Sequence, residues 1–77
     1  MSESSRKIFK IIAERTGHEH EELNESSYFE DDLNIGEMEL MEILTEIEEK
    51  LQVDVISEKD NIETVGDLID LVDEQLE

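Results

Sequence analysis

Hydrophobic residues recur along this chain in three blocks with helical spacing, separated by stretches where they are scattered. The clearest block is Leu40, Leu44, Ile47 and Leu51, at i, i+4, i+7 and i+11. They form one stripe along a helix of 3.6 residues per turn, and Met41 and Ile43 widen it. Residues 4–16 place Ile8, Ile11, Ile12 and Arg15 on one face with Phe9 beside them, and Gly17 supplies a stop at a C′ position. A last helix is predicted to start at Thr64, with Asp67 three residues on in the spacing of a capping box. It would bury Val65, Leu68, Ile69, Val72 and Leu76. Before it, QVDVI leads to a short helical turn over residues 57–62, where Ser57 and Asp60 also have capping-box spacing.

The connection HEHEELNESSYFEDDLN, residues 18–34, lacks periodicity and is longer than structureless loops usually are. Leu23, Tyr28, Phe29 and Leu33 are expected to pin it to the core. There is no proline, aromatics are few, and Glu, Leu and Ile abound, a composition that favours helix. A chain of 77 residues holds one domain with a small core. The expected fold is therefore all-α: a single domain over residues 1–77, a bundle of three main helices plus one short helix. The long loop lies between the first and second helices.

Charge narrows the partners. Twenty-four acidic residues against six basic ones give a net charge of −18. Nucleic acid phosphates and anionic lipids would be repelled, whereas proteins with basic patches would be attracted, more weakly as salt rises. The acids are also ordered, because Glu39, Glu42, Glu46 and Glu49 step along one face of the second helix. Like charges at that spacing repel by roughly a few tenths of a kcal/mol per pair, so the stripe points toward a partner rather than toward the fold. Asp31 and Asp32 extend the same field, together with Glu30. Cysteine is absent, which excludes disulfides, thiolate metal sites and a cysteine nucleophile. No apolar run approaches the roughly 20 residues of a membrane span, and no cleavage site follows MSESSRKIFKII. A soluble, cytoplasmic monomer with no membrane and no nucleic acid partner is expected.

Local chemistry is sparse. Asp31, Gly36, Met38 and Glu42 match positions of a calcium-binding EF-hand loop, but Leu33 and Ile35 stand where oxygen ligands are required, so no metal site is expected. His18 and His20, two apart among carboxylates, read as ordinary loop residues. No paired histidine, nucleophile elbow or glycine-rich phosphate loop occurs, and the chain does not read as an enzyme.

Four pieces in order carry a resemblance. KIFKIIAERTG, then EELNESSYFEDDL, then EMELMEILTEIEEKLQVDV and finally NIETVGDLIDLV resemble, over residues 7–72, the acyl carrier proteins and the related peptidyl and D-alanyl carriers. The resemblance implies their helical bundle and a second helix presented to basic patches on enzymes of acyl metabolism, fatty acid biosynthesis among them. It also implies 4′-phosphopantetheine, carried on the serine of an L-G-x-D-S-L motif. Here the corresponding stretch is LNIGEM: Leu33 and Met38 match, Asn34 replaces the glycine, Gly36 the aspartate and Glu37 the serine. A carboxylate cannot form that phosphodiester, so no cofactor is expected. Ser26 and Ser27 lie in the preceding loop, away from the helix that the modifying enzyme reads as well. Glu37 has two compatible readings: a helix-capping residue with Asn34 as N-cap, or a fixed charge where a prosthetic phosphate would sit. Met38 and Met41 are expected to pack at the core or its rim, although in the family this helix start borders the cavity that shelters the acyl chain. The residues expected to meet a partner are Asp31, Asp32, Glu37, Met38, Glu39, Met41, Glu42, Glu46 and Glu49. The alternative from another class is an acidic decoy that imitates nucleic acid to occupy a basic groove; a structural subunit of a larger assembly is a third.

Overall fold

The computed structural model describes residues 3–76. Three α-helices, α1 (Glu3–Thr16), α2 (Glu37–Leu51) and α3 (Val65–Leu76), form the expected all-α bundle, with 3-10 turns at His20–Glu22 and Ile56–Asn61. The apolar stripes meet inside it: Ile8 and Ile12 of α1, Ile43, Leu44 and Ile47 of α2, and Val65, Leu68 and Val72 of α3 are essentially without solvent exposure. Burying a side chain of this size is worth roughly 1.5–3 kcal/mol, so these three faces supply most of the driving force. Gly17 ends α1 as predicted, in left-handed backbone at φ +80°, its N–H donating to the Ala13 carbonyl at 2.9 Å.

The long connection is packed down, as expected, by three of the four side chains named for it. Leu23, Phe29 and Leu33 are buried, and so is Ile35, but Tyr28 is 45% exposed. Tyr28 forms an isolated antiparallel bridge with Thr64, and in such extended backbone successive side chains alternate in direction. Ser27 and Phe29 therefore point inward and Tyr28 outward. The main chain on either side of it does the anchoring. The Phe29 N–H donates to the Glu63 carbonyl at 3.0 Å, the Val65 N–H to Ser27 at 3.0 Å and the Gly66 N–H to Glu25 at 2.8 Å. These bonds also satisfy the first free N–H groups of α3. The predicted box completes the start: Asp67 N–H donates to Thr64 Oγ1 and Thr64 N–H to Asp67 Oδ2, each at 3.1 Å.

Two expectations at other helix ends are corrected. Ser57 caps nothing, since its hydroxyl donates to Asp54 Oδ2. The turn Ile56–Asn61 is instead held by Glu48 of α2, whose Oε2 accepts the N–H groups of Val55 and Ile56 at 2.9 and 3.0 Å. Leu76 is 52% exposed rather than buried. Ser4 donates to Asp73, which sets the start of α1 level with that residue. Beyond it α3 outruns the helix that covers it.

Candidate functional site

The residues that lead into α2 decide its geometry. Ile35 is buried and its N–H donates to the Phe29 carbonyl at 2.7 Å. To deliver Ile35 inward the chain turns at Asn34, which adopts left-handed backbone at φ +55°, a conformation asparagine tolerates better than most residues. Asn34 is thus a turn residue and not the N-cap. Gly36 occupies the cap with extended backbone, φ −78° and ψ 176°, and makes no side-chain cap bond. The expected pairing of Asn34 with Glu37 is replaced by a helix whose first residue is Glu37.

The Glu37 carboxylate turns to another element. Its Oε1 lies 2.9 Å from Lys59 Nζ, which is also 3.7 Å from Asp60 Oδ1. The Lys59 hydrogen bond and charge hold the Glu37 carboxyl below the usual carboxylate range, and Glu37 raises the lysine in return. Beneath this pair opens a cleft of about 380 Å³ between the loop, the first turns of α2 and residues 59–63. Phe29, Ile35, Leu40, Met41 and Ile62 give it apolar walls, and Glu30, Asp31, Asp60 and Glu63 line it with charge. Sequence reasoning missed Lys59 and Ile35. Lys59 is the single base after Lys50, a signal that only its position in space makes meaningful.

The other predicted residues do not gather in one place. Asp31 and Met41 border the cleft with Glu37. Met38 projects into solvent at 83% exposure, so it is not the packing residue expected, while Met41 is half-buried. Asp32 serves the loop, because its Oδ2 accepts the Tyr28 N–H at 2.8 Å and closes the turn there. Along α2, Glu42 and Glu49 are exposed and Glu39 half-buried. Glu46 differs: it lies between Lys50 Nζ at 2.8 Å and Arg15 Nε at 2.6 Å, with its side chain only 18% exposed. Arg15 also approaches Glu42 at 3.4 Å. Arg15 is therefore at the rim of α1, not on its buried face, and it relieves part of the repulsion within the stripe. Lys50 first, then Arg15, hold the Glu46 carboxyl below its ordinary value.

The site offers an apolar cleft under charged side chains and an acidic helix face. Its first helical turn, Glu37 to Leu40, contains no hydroxyl. Ser26 is exposed in the loop with its hydroxyl on Asn24 Oδ1, and Ser27 is buried. The residues present do not fit a serine-linked prosthetic group at the start of α2. Among the described residues no helix is long and apolar enough to cross a membrane.

No model of a known protein family matches the chain. Individual proteins do. A protein of Exiguobacterium sibiricum named acyl carrier protein is 32% identical over 70 residues, covering 90% of this chain and 89% of that protein. One of the same name from Streptococcus pneumoniae is 36% identical over 69 residues, 90% of each. Another from Rickettsia bellii is 35% identical over 69 residues, 88% of this chain and 80% of its own.

Proposed function

The chain belongs to the acyl carrier protein family, and on that premise we propose that it is an acidic recognition module of acyl metabolism, working through α2 without covalent 4′-phosphopantetheine. It binds and is bound; it catalyses nothing itself. The observation that carries this reading is Glu37, a carboxylate at the first residue of α2, engaged with Lys59. Where the family has a hydroxyl to modify, this helix has a side chain that cannot form the phosphodiester and a charge already placed. With net charge −18, the exposed acids Asp31, Glu42 and Glu49, the half-buried Glu39 and the projecting Met38 suit an enzyme surface that is basic with an apolar centre. Glu37 then supplies a constant charge where a loaded carrier would present its phosphate, moderated by Lys59. Glu46 contributes less, since Arg15 and Lys50 already hold it.

Incubation of the unmutated protein with coenzyme A and a broad-specificity phosphopantetheinyl transferase tests this. The intact mass is expected to stay unchanged while a conventional carrier in the same tube is modified. A gain of one phosphopantetheine overturns the reading. Affinity capture that recovers nucleic-acid-binding proteins instead of acyl-metabolism enzymes would turn it toward an acidic decoy.

A further inference from the structure

After Gly17 the chain turns, and His18 follows with its N–H 3.3 Å from Thr16 Oγ1. The imidazole then reaches across the loop. Its Nε2 lies 3.1 Å from the Leu33 carbonyl oxygen and its Nδ1 3.5 Å from Glu22 Oε2. Glu22 is itself fixed, its other oxygen accepting the Glu19 N–H at 2.8 Å. Leu33 directly precedes Asn34, the left-handed residue that sets up Ile35, Gly36 and the start of α2. One side chain thus joins the end of α1, the 3-10 turn and the approach to the cleft.

A neutral imidazole has a single N–H. On Nε2 it serves Leu33 and leaves a lone pair facing a carboxylate. On Nδ1 it serves Glu22 and leaves the Leu33 carbonyl facing a lone pair. Only the imidazolium donates to both. The charges that face the ring agree: Glu22 from the 3-10 turn and Glu39 from α2 are both negative, and Arg15 of α1 is turned to Glu42 and Glu46. The Leu33 carbonyl first, then Glu22 and Glu39, raise the histidine above its ordinary value.

We propose that His18 is a proton-operated clamp: protonated, it holds Leu33 and Glu22 together and sets the approach to α2, and on losing its proton it keeps only one of the two contacts, which loosens residues 33–37 while the bundle stays folded. A group whose folded pKa is raised gives its full stabilisation below the unfolded value, and loses it as pH rises through the folded value. The clamp opens on the alkaline side. Carboxylates are ionised throughout that window, so among the acids nothing else changes charge there. The clamp follows from the loop geometry alone, whatever α2 binds.

The test is a nuclear magnetic resonance titration of the full chain from about pH 5.5 to about pH 8.5, spanning the usual histidine range. It follows the His18 ring together with the amides of Ile35, Gly36 and Glu37. These amides are expected to shift with the midpoint of the His18 ring. His18→Gln is expected to flatten them, and His20→Gln, an exposed neighbour, to leave them unchanged. Glu22→Gln is expected to keep the step and move its midpoint down toward an ordinary histidine. Amides that stay flat while the ring titrates overturn the proposal, as does a step that survives in His18→Gln. If His18→Gln does not fold, an unmoved midpoint in Glu22→Gln overturns it.

Discussion

Lys59 Nζ lies 2.9 Å from Glu37 Oε1, which ties the first residue of α2 to the 3-10 turn that precedes α3. Glu37 is largely exposed, so the pair is screened by salt and adds little to stability. Its effect is on charge. The Glu37 carboxyl is held low, so the pair's contribution is present above the unfolded glutamate value and lost as pH falls through the folded one. Lys59→Met is expected to return the Glu37 titration to the ordinary range with little change in the thermal midpoint. A carbon-detected pH titration of the Glu37 carboxyl checks this; an unmoved curve would show that Lys59 is not its partner in solution.

Restoring the family's residues at two positions should restore some of the family's chemistry. Gly36→Asp with Glu37→Ser puts a hydroxyl at the first position of α2 and a capping carboxylate before it. No atom lies within 4 Å of a Cβ built on Gly36, so the aspartate fits, and as an N-cap it adds about a few tenths of a kcal/mol. The double variant is expected to gain one phosphopantetheine with coenzyme A and the transferase, read by intact mass. If it folds and stays unmodified, the transferase is rejecting other parts of the surface.

The glycines at the starts of α2 and α3 should respond unequally to alanine. Replacing a helical glycine by alanine usually stabilises. At Gly66, however, the new Cβ would stand 2.8 Å from the Glu25 carbonyl oxygen, a main-chain atom held by its own bond to the Gly66 N–H. Gly66→Ala is expected to destabilise by about 1–3 kcal/mol, and Gly36→Ala to be tolerated. Urea denaturation of the two variants decides; equal midpoints would mean that the loop gives way at Glu25.

The acids of α2 should not be equivalent in recognition. Glu39→Gln and Glu49→Gln remove charges that no base pairs among the described residues, so each is expected to slow association with a captured partner and flatten its salt dependence. Glu46→Gln removes one that Arg15 and Lys50 already compensate, and should change association less than either. Stopped-flow association rates at several salt concentrations give the order. A Glu46 effect equal to the others would mean that the Arg15 pair opens on binding.

What could be read in advance was local. The stripe through Leu44, Ile47 and Leu51 follows from helical period, with Leu40 at its half-buried end, and the Thr64–Asp67 box from a three-residue spacing, so both survive in the fold. Asn34 failed as a cap because its conformation answers to Ile35, whose burial and bond to Phe29 are tertiary. Tyr28 failed as an anchor because its direction is fixed by a bridge to Thr64, far along the chain. Arg15 with Glu46 and Lys59 with Glu37 share this character, since neither base has its partner within one helical turn. At the site, composition and a missing hydroxyl were legible; which acids are already neutralised was not.

The bridge between Tyr28 and Thr64 also constrains the order in which the protein can be completed as it is made. The carbonyls that receive the first N–H groups of α3 lie upstream of α2, and the N–H groups themselves come from residues downstream of it. On a growing chain the segment 25–29 stays without these partners until residues 63–66 have emerged. Closing so long a contour is slow beside forming a helix. The α2 helix can therefore wind early, but the loop that aims its first turn is secured only after residues 63–66 have been made, so a chain that stops short of them displays the acidic face without the finished entrance to the cleft.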